Sequence, residues 1–171
     1  MSVAAIIALG MLAAVLAVMA GEAVLSSYNA SVLRARGAVE PPDDVYRTMQ
    51  WAYPLGFVAL AIEGALRGPS PEPALAAGIL VFGLAKALKA WAITSLGTRW
   101  TFRVLVPPGA PLVAAGPYRW LRHPNYLAVA GEIAGAALLV GAFVTGAIFL
   151  AGFGWLMRRR IAVEERALGR G

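Results

Sequence analysis

The chain has 171 residues, of which 60% are hydrophobic and 14% charged, and its mean hydropathy of +0.70 excludes an ordinary soluble domain, which runs to roughly half apolar and a quarter charged. With no cysteine and a single histidine, His123, it has no disulfide framework, no thiolate nucleophile and no multi-imidazole zinc centre, so no metal is expected. The net charge of +6 sits between and after apolar runs rather than on a polar domain, which points to anionic lipid headgroups and not to nucleic acid.

The first apolar run, Val3 to Ala20, is long enough to cross a hydrocarbon core of ~30 Å. It precedes every basic residue, the first being Arg34, and so reads as a retained helix rather than a cleaved signal, which wants positive charge ahead of the run. A second run, Trp51 to Leu66, closes at Arg67-Gly68-Pro69. A third, Ala74 to Leu96, starts after Pro71-Glu72-Pro73 and stops at Gly97, a C-cap by its residue type. Polar stretches, Ser26 to Gln50 and Thr98 to Asn125, flank the second and third runs.

The last run, Tyr126 to Met157, would measure about 48 Å as one helix and overshoot the bilayer. Charge chooses between one span and two. Arg34, Arg36 and Arg47 follow the first run, Arg67 alone follows the second, and Arg99, Arg103, Arg119 and Arg122 follow the third. The tail carries Arg158, Arg159, Arg160, Arg166 and Arg170. Under the positive-inside rule both arginine-rich loops and the tail are cytoplasmic, which requires an even number of crossings after Tyr126. The expectation is an all-α, polytopic helical membrane protein with about five passes. Its last two form a helical hairpin bent near Val140 to Ala142, with the amino terminus outside and the carboxyl terminus in the cytoplasm.

Glu22, Glu63, Glu132, Lys86 and Lys89 lie within or beside the apolar runs. An ionisable group near a helix centre costs about 2.5 to 3.5 kcal/mol on insertion scales, so each needs a partner or a water-filled cavity. Glu22 and Lys89 stand near the expected helix ends and can snorkel, and Glu63 is read as structural. Glu132 lies deeper, inside Gly131-x-x-x-Gly135, a pattern that permits close helix approach. It is a candidate to accept or orient a proton at a bilayer-dissolved acceptor, roughly 9 Å deeper than Tyr126. Buried Glu63, Lys86 and Glu132 also admit another class, a small transporter with an ion path.

The segment Gly116 to Tyr126 combines three aromatic rings, Arg119, Arg122 and His123 just before an apolar helix. Pro124 biases His123 away from the α region and holds its imidazole at the helix entrance. In Arg158-Arg159-Arg160-Ile161-Ala162-Val163-Glu164-Glu165, a helix would put Arg160 and Glu164 on one face. A hairpin would return that face to the membrane side that carries Arg122 and His123.

Leu96-Gly97-Thr98-Arg99-Trp100-Thr101, Pro107-Pro108-Gly109, Gly116-Pro117-Tyr118-Arg119, Arg122-His123-Pro124-Asn125-Tyr126 and Arg160-Ile161 with Glu164-Glu165 together resemble the isoprenylcysteine carboxyl methyltransferase family over roughly Lys89 to Leu168. The resemblance implies an integral-membrane methyltransferase that uses S-adenosylmethionine without a Rossmann domain, and no Gly-x-Gly-x-x-Gly occurs in the chain. It divides one membrane domain, 1–171, into amino-terminal helices with a cytoplasmic loop (1–88) and a cofactor-binding part (89–168). Glu22, Ser27, Asn29, Leu33, Arg36 to Glu40 and Tyr46 are similar to a bacterial branch associated with type III polyketide synthases. That likeness implies O-methylation of long-chain alkylpyrones or alkylresorcinol-type phenols in a bacterial inner membrane. Carboxyl methylation of a prenylated cysteine and methylation of a phospholipid amine stay open within the same fold. The family often has glycine two residues after the motif tyrosine, where this chain has Ala128.

By the same resemblance Tyr118, His123, Pro124, Tyr126 and Glu165 contribute to the cofactor pocket, and Arg122, Arg160 and Glu164 join Glu132 around the reaction centre. The chemistry is compatible. A sulfonium is favoured by aromatic faces and carboxylates, a methionyl carboxylate by arginine, and an adenine by an aromatic ring or imidazole.

Overall fold

The computed structural model describes residues 1–109 and 111–169, so Arg170, counted above among the tail arginines, lies outside the described residues. Five α-helices follow one another: α1 (Val3–Ala35), α2 (Tyr46–Arg67), α3 (Glu72–Leu96), α4 (Pro124–Val140) and α5 (Phe143–Ala167). Among the described residues the only extended pairing is an isolated antiparallel bridge between Val39 and Val106. By length and composition, α1 and the stretch from Glu72 to Arg99 can each cross a membrane.

The boundaries have local causes. Ser2 caps α1 by accepting from Ala5 N at 3.2 Å, Pro73 stands in the first turn of α3, and Gly97 ends that helix at φ 56°. Gly141 takes the left-handed conformation at φ 71° and closes α4 with its amide on Ala137 and Leu138, where any other residue would be strained. The chain reverses there. A Cβ built on Gly146 of α5 would lie 2.4 Å from the Ala137 Cβ of α4, and Arg160 near the end of α5 bonds Tyr126 near the start of α4.

Two expected boundaries move. α1 does not stop near Ala20 but runs on to Ala35, through residues read above as the start of a polar loop. Ser26 and Asn29 on that extension are buried because both bond the segment after α3. Ser26 Oγ accepts from Phe102 N at 2.8 Å, and Asn29 Nδ2 donates to Trp100 O at 2.8 Å. In the same way α5 continues through the arginines past Met157 to Ala167.

The core is apolar and gathers side chains of four helices, with Met11 and Val15, Phe57 and Leu60, Ile133 and Ala136, and Phe149 and Phe153 at its centre. α3 reaches it through glycine. A Cβ on Gly135 would stand 2.6 Å from Phe82 N, and one on Gly78 would stand 2.5 Å from Leu139 N, so the backbones of α3 and α4 touch as the small-residue pattern requires. The outer surface is also apolar: Val18, Leu25, Leu55, Ile62, Leu80, Leu84, Ile148 and Trp155 are exposed. Within the bundle Glu22, Lys89, Glu132 and Arg160 are buried, whereas Arg34, Arg67 and Arg122, at or beyond helix ends, and Arg158 and Arg159 in the last part of α5 are exposed. An apolar exterior around buried ions suits a hydrocarbon surrounding.

Candidate active site

The start of α4 and the end of α5 meet. The Tyr126 hydroxyl donates to Glu164 Oε2 at 2.9 Å and accepts from Arg160 Nε at 2.8 Å. One turn earlier, His123 is held from both sides. Its Nδ1 lies 3.7 Å from Glu164 Oε2, and its Nε2 lies 3.2 Å from Glu165 Oε1. Pro124 is the first residue of α4 and leaves His123 as the cap, with φ −133° and ψ 60°, outside the α region that proline disfavours for the residue before it. Arg122 is 78% exposed and lies 3.9 Å from Glu165.

Arg160 reaches one residue that sequence reasoning missed. Its Nη1 donates to Asp44 Oδ1 at 3.2 Å, and Asp44, 3% exposed, also accepts from Tyr46 N at 3.1 Å and Val104 N at 3.0 Å. Asp44 thus ties the start of α2, the segment after α3 and α5 into one corner. The available signal was local: an aspartate two residues before a helix, suited to receive an unpaired amide of its first turn.

These groups open on a cavity of about 410 Å³, within the usual range for small-molecule sites. Its mouth carries Tyr118, Arg122, His123, Tyr126, Arg160 and Glu164; one side is the segment Leu96 to Val106; its inner end reaches Glu22, Tyr53 and Lys89. That side wall is strapped down by the bonds of Ser26, Asn29 and Asp44 and by Glu40. Glu40 accepts from Arg103 at 2.7 Å and Arg34 at 2.8 Å. Burial works to raise the Glu40 pKa, but the hydrogen bonds and charges of Arg103 and Arg34 outweigh it and hold the carboxyl below its ordinary value. The Tyr118 phenol is pushed well up, by burial first and the Glu164 charge second, and stays neutral.

Of the site residues expected from sequence, Pro124, Glu132 and Glu165 do not line the cavity. Glu165 contacts His123, and Pro124 follows it in the chain. Glu132, 1% exposed, is enclosed by Tyr53, Lys86 and Lys89. The Tyr53 hydroxyl donates to Glu132 Oε2, Lys89 Nζ lies 3.3 Å from that oxygen, and Lys86 Nζ lies 3.0 Å from Oε1. Glu22 completes the group, 2.7 Å from Lys89 Nζ and 3.8 Å from Lys86 Nζ. Snorkelling is therefore overturned for Glu22 and Lys89. α1 extends well past Glu22, and both groups turn inward to pair. Glu63 has a structural place, accepting from Thr145 N at 2.6 Å and Val144 N at 3.3 Å at the start of α5.

The profile of the isoprenylcysteine carboxyl methyltransferase (ICMT) family matches residues 76–170. The chain belongs to this family. It is accordingly an integral-membrane methyltransferase, of a family whose enzymes use S-adenosylmethionine. A relative, the uncharacterized protein YpbQ of Bacillus subtilis (strain 168), is 33% identical over 149 residues, which cover 87% of this chain and 89% of its own. No solved structure matches significantly. The family match includes the whole α4–α5 cluster and α3 from Ala76 onward, with Lys86 and Lys89, while Glu22, Asp44 and Tyr53 lie ahead of it.

Proposed function

We propose that this methyltransferase acts on the hydroxyl of a lipophilic acceptor, in first place a long-chain alkylpyrone or an alkylresorcinol-type phenolic lipid. The observation that carries the reading is the single cavity that joins the Tyr126–Glu164–Arg160 cluster to a polar inner end between apolar helices. The donor set suits S-adenosylmethionine. Tyr118, Tyr126 and His123 offer ring faces, Glu164 offers a carboxylate to a sulfonium, and Arg122 at the mouth offers a guanidinium to a carboxylate. When bound, the cofactor supplies an electrophilic methyl group. Arg160 orients Tyr126 and Glu164, Glu165 orients His123, and Pro124 fixes the imidazole at the entrance. Positioning of this kind contributes up to about 7 to 11 kcal/mol to such a displacement.

The acceptor enters from the bilayer and the cofactor from the cytoplasm, in a bacterial inner membrane. The five helices cross as five passes, with the amino terminus outside; the arginine distribution supports this orientation. Cysteines placed at Glu72 and at Gly169, both exposed, are then labelled from opposite faces of the membrane, and labelling from one face overturns the topology. A second reading, carboxyl methylation of a prenylated cysteine, is favoured by the family itself. Detergent-purified protein given labelled S-adenosylmethionine with an alkylpyrone, an alkylresorcinol and farnesylcysteine separates the two. Methyl ethers of the first two are expected; a methyl ester of the third alone would replace the hydroxyl reading. Failure to bind the labelled cofactor would leave the cavity to a transported solute.

A further inference from the structure

The inner end of the cavity is built from ions that the cofactor chemistry does not use. Glu22 from α1, Lys86 and Lys89 from α3 and Glu132 from α4 balance to zero charge, and Tyr53 from α2 closes the group through Glu132. Only Glu22, Lys89 and Tyr53 reach the cavity wall. Glu22 is 9% exposed; Lys89 Nζ holds its Oε2 at 2.7 Å, while its Oε1, 3.8 Å from Lys86 Nζ, receives no hydrogen bond among the described residues. A buried carboxylate oxygen on a cavity wall with unused accepting capacity calls for a donor.

We infer that this inner end seats the head of the methyl acceptor, and that Glu22 and Lys89 recognise there a neutral, weakly acidic hydroxyl rather than a carboxylate. The inference rests on the methyltransferase reading above and names the group that the site selects. A carboxylate head would bring a third negative charge beside Glu22 and Glu132 in a low-dielectric interior, whereas a hydroxyl arrives uncharged and finds an acceptor. Its proton passes to Glu22. The oxygen left charged is held by Lys89 Nζ and forms the new O–C bond as the donor's C–S bond breaks, the electron pair staying on sulfur as a neutral thioether. The proton then leaves Glu22 for water through the cavity mouth. Glu132 and Lys86 are positioning residues: they hold Lys89, and Glu132 holds Tyr53, whose ring lies 5.8 Å from Lys89 Nζ.

A long-chain alkyl nitrophenol, whose absorbance reports its own ionisation, tests this on the full chain in detergent without cofactor. Glu22→Gln leaves the positive charge of Lys89 unbalanced, so the bound phenol should ionise about one pH unit lower than in the wild type. Lys89→Met should move it about one unit the other way. Shifts in the same direction, or none, in variants that keep wild-type helical circular dichroism overturn the proposal. So does displacement of the probe by a long-chain fatty acid as readily as by an alkylresorcinol. If Lys89→Met fails to insert, the double variant Glu22→Gln/Lys89→Met keeps the cluster neutral. It should bind the probe about tenfold more weakly, and unchanged affinity overturns the assignment. Cofactor binding is measured separately: intact cofactor binding without these probe responses removes the seat alone, and probe responses without cofactor binding remove the methyltransferase reading instead.

Discussion

At the mouth of the cavity, charges meet over rings: Arg160 and Glu164 grip Tyr126, while Glu165 and Glu164 flank His123. At its inner end two carboxylates and two ammonium groups meet each other, with the rings of Tyr53 and Phe82 beside the lysines. The mouth draws Tyr126, Arg160 and Glu164 from the ends of two helices joined by a tight turn, adds Tyr118 and His123 from the segment before α4, and leaves Arg122 exposed. The inner cluster draws its members from four helices, with Lys86 and Lys89 both on α3, and lies deeper, with Glu22, Lys89 and Glu132 buried. A group lost from the mouth can be replaced by water, whereas loss of a charged group from the inner cluster leaves an unbalanced charge in an apolar bundle and costs more.

Arg160 is the exception at the mouth, and its loss should have the largest effect. Arg160→Met strands Asp44, which is equally buried, and should cost about 3 to 5 kcal/mol of stability together with cofactor binding. Thermal unfolding in detergent checks this; a stable but inactive variant would make Arg160 a purely chemical group. Glu132→Gln keeps shape but leaves the inner cluster with an extra positive charge, and should cost about 3 kcal/mol. Its turnover should fall at least about tenfold while cofactor affinity stays within about twofold. Equal losses in both would merge the two clusters into one site.

His123→Ala should cost only about 1 kcal/mol of stability and weaken cofactor binding about tenfold, as read by titration with labelled S-adenosylmethionine. Unchanged affinity would move the cofactor away from the mouth. The smallest effect belongs to Glu40, which straps the cavity's side wall through Arg103. Because its folded pKa lies below the ordinary carboxylate value, its contribution is present above that ordinary value and is lost as pH falls through the folded one. Melting temperatures of the wild type and Glu40→Gln should therefore differ slightly near neutral pH and converge in acid.

Much of the mouth was legible because it is local. Pro124 fixes His123 within one peptide unit, and Arg160 and Glu164 share a helix face by spacing alone. The inner cluster was not legible as a unit. Glu22, Lys89 and Glu132 each stood in the sequence as an isolated charge, and their pairing depends on α1 continuing past Ala20 and on glycines that bring α3 against α4. Ser26 and Asn29 show why that extension was missed: polar residues in a sequence read as loop, and only the backbone of Gly97 to Phe102, far along the chain, turns them into a helix face. Asp44 was hidden for the same reason, since its partners come from three separate segments.

The contact between Glu63 and the start of α5 bears on how the chain assembles. Ala142 offers α5 no side-chain cap, and the amides of Val144 and Thr145 are satisfied by a carboxylate of α2 that is synthesised about 80 residues earlier. The last helix therefore has no finished amino-terminal end of its own and takes one from a helix already inserted. Biogenesis in the order of synthesis presents that acceptor in time. A split version expressing residues after α3 as a separate polypeptide would have to find it by diffusion in the bilayer, and its yield would depend on co-expression of the first part.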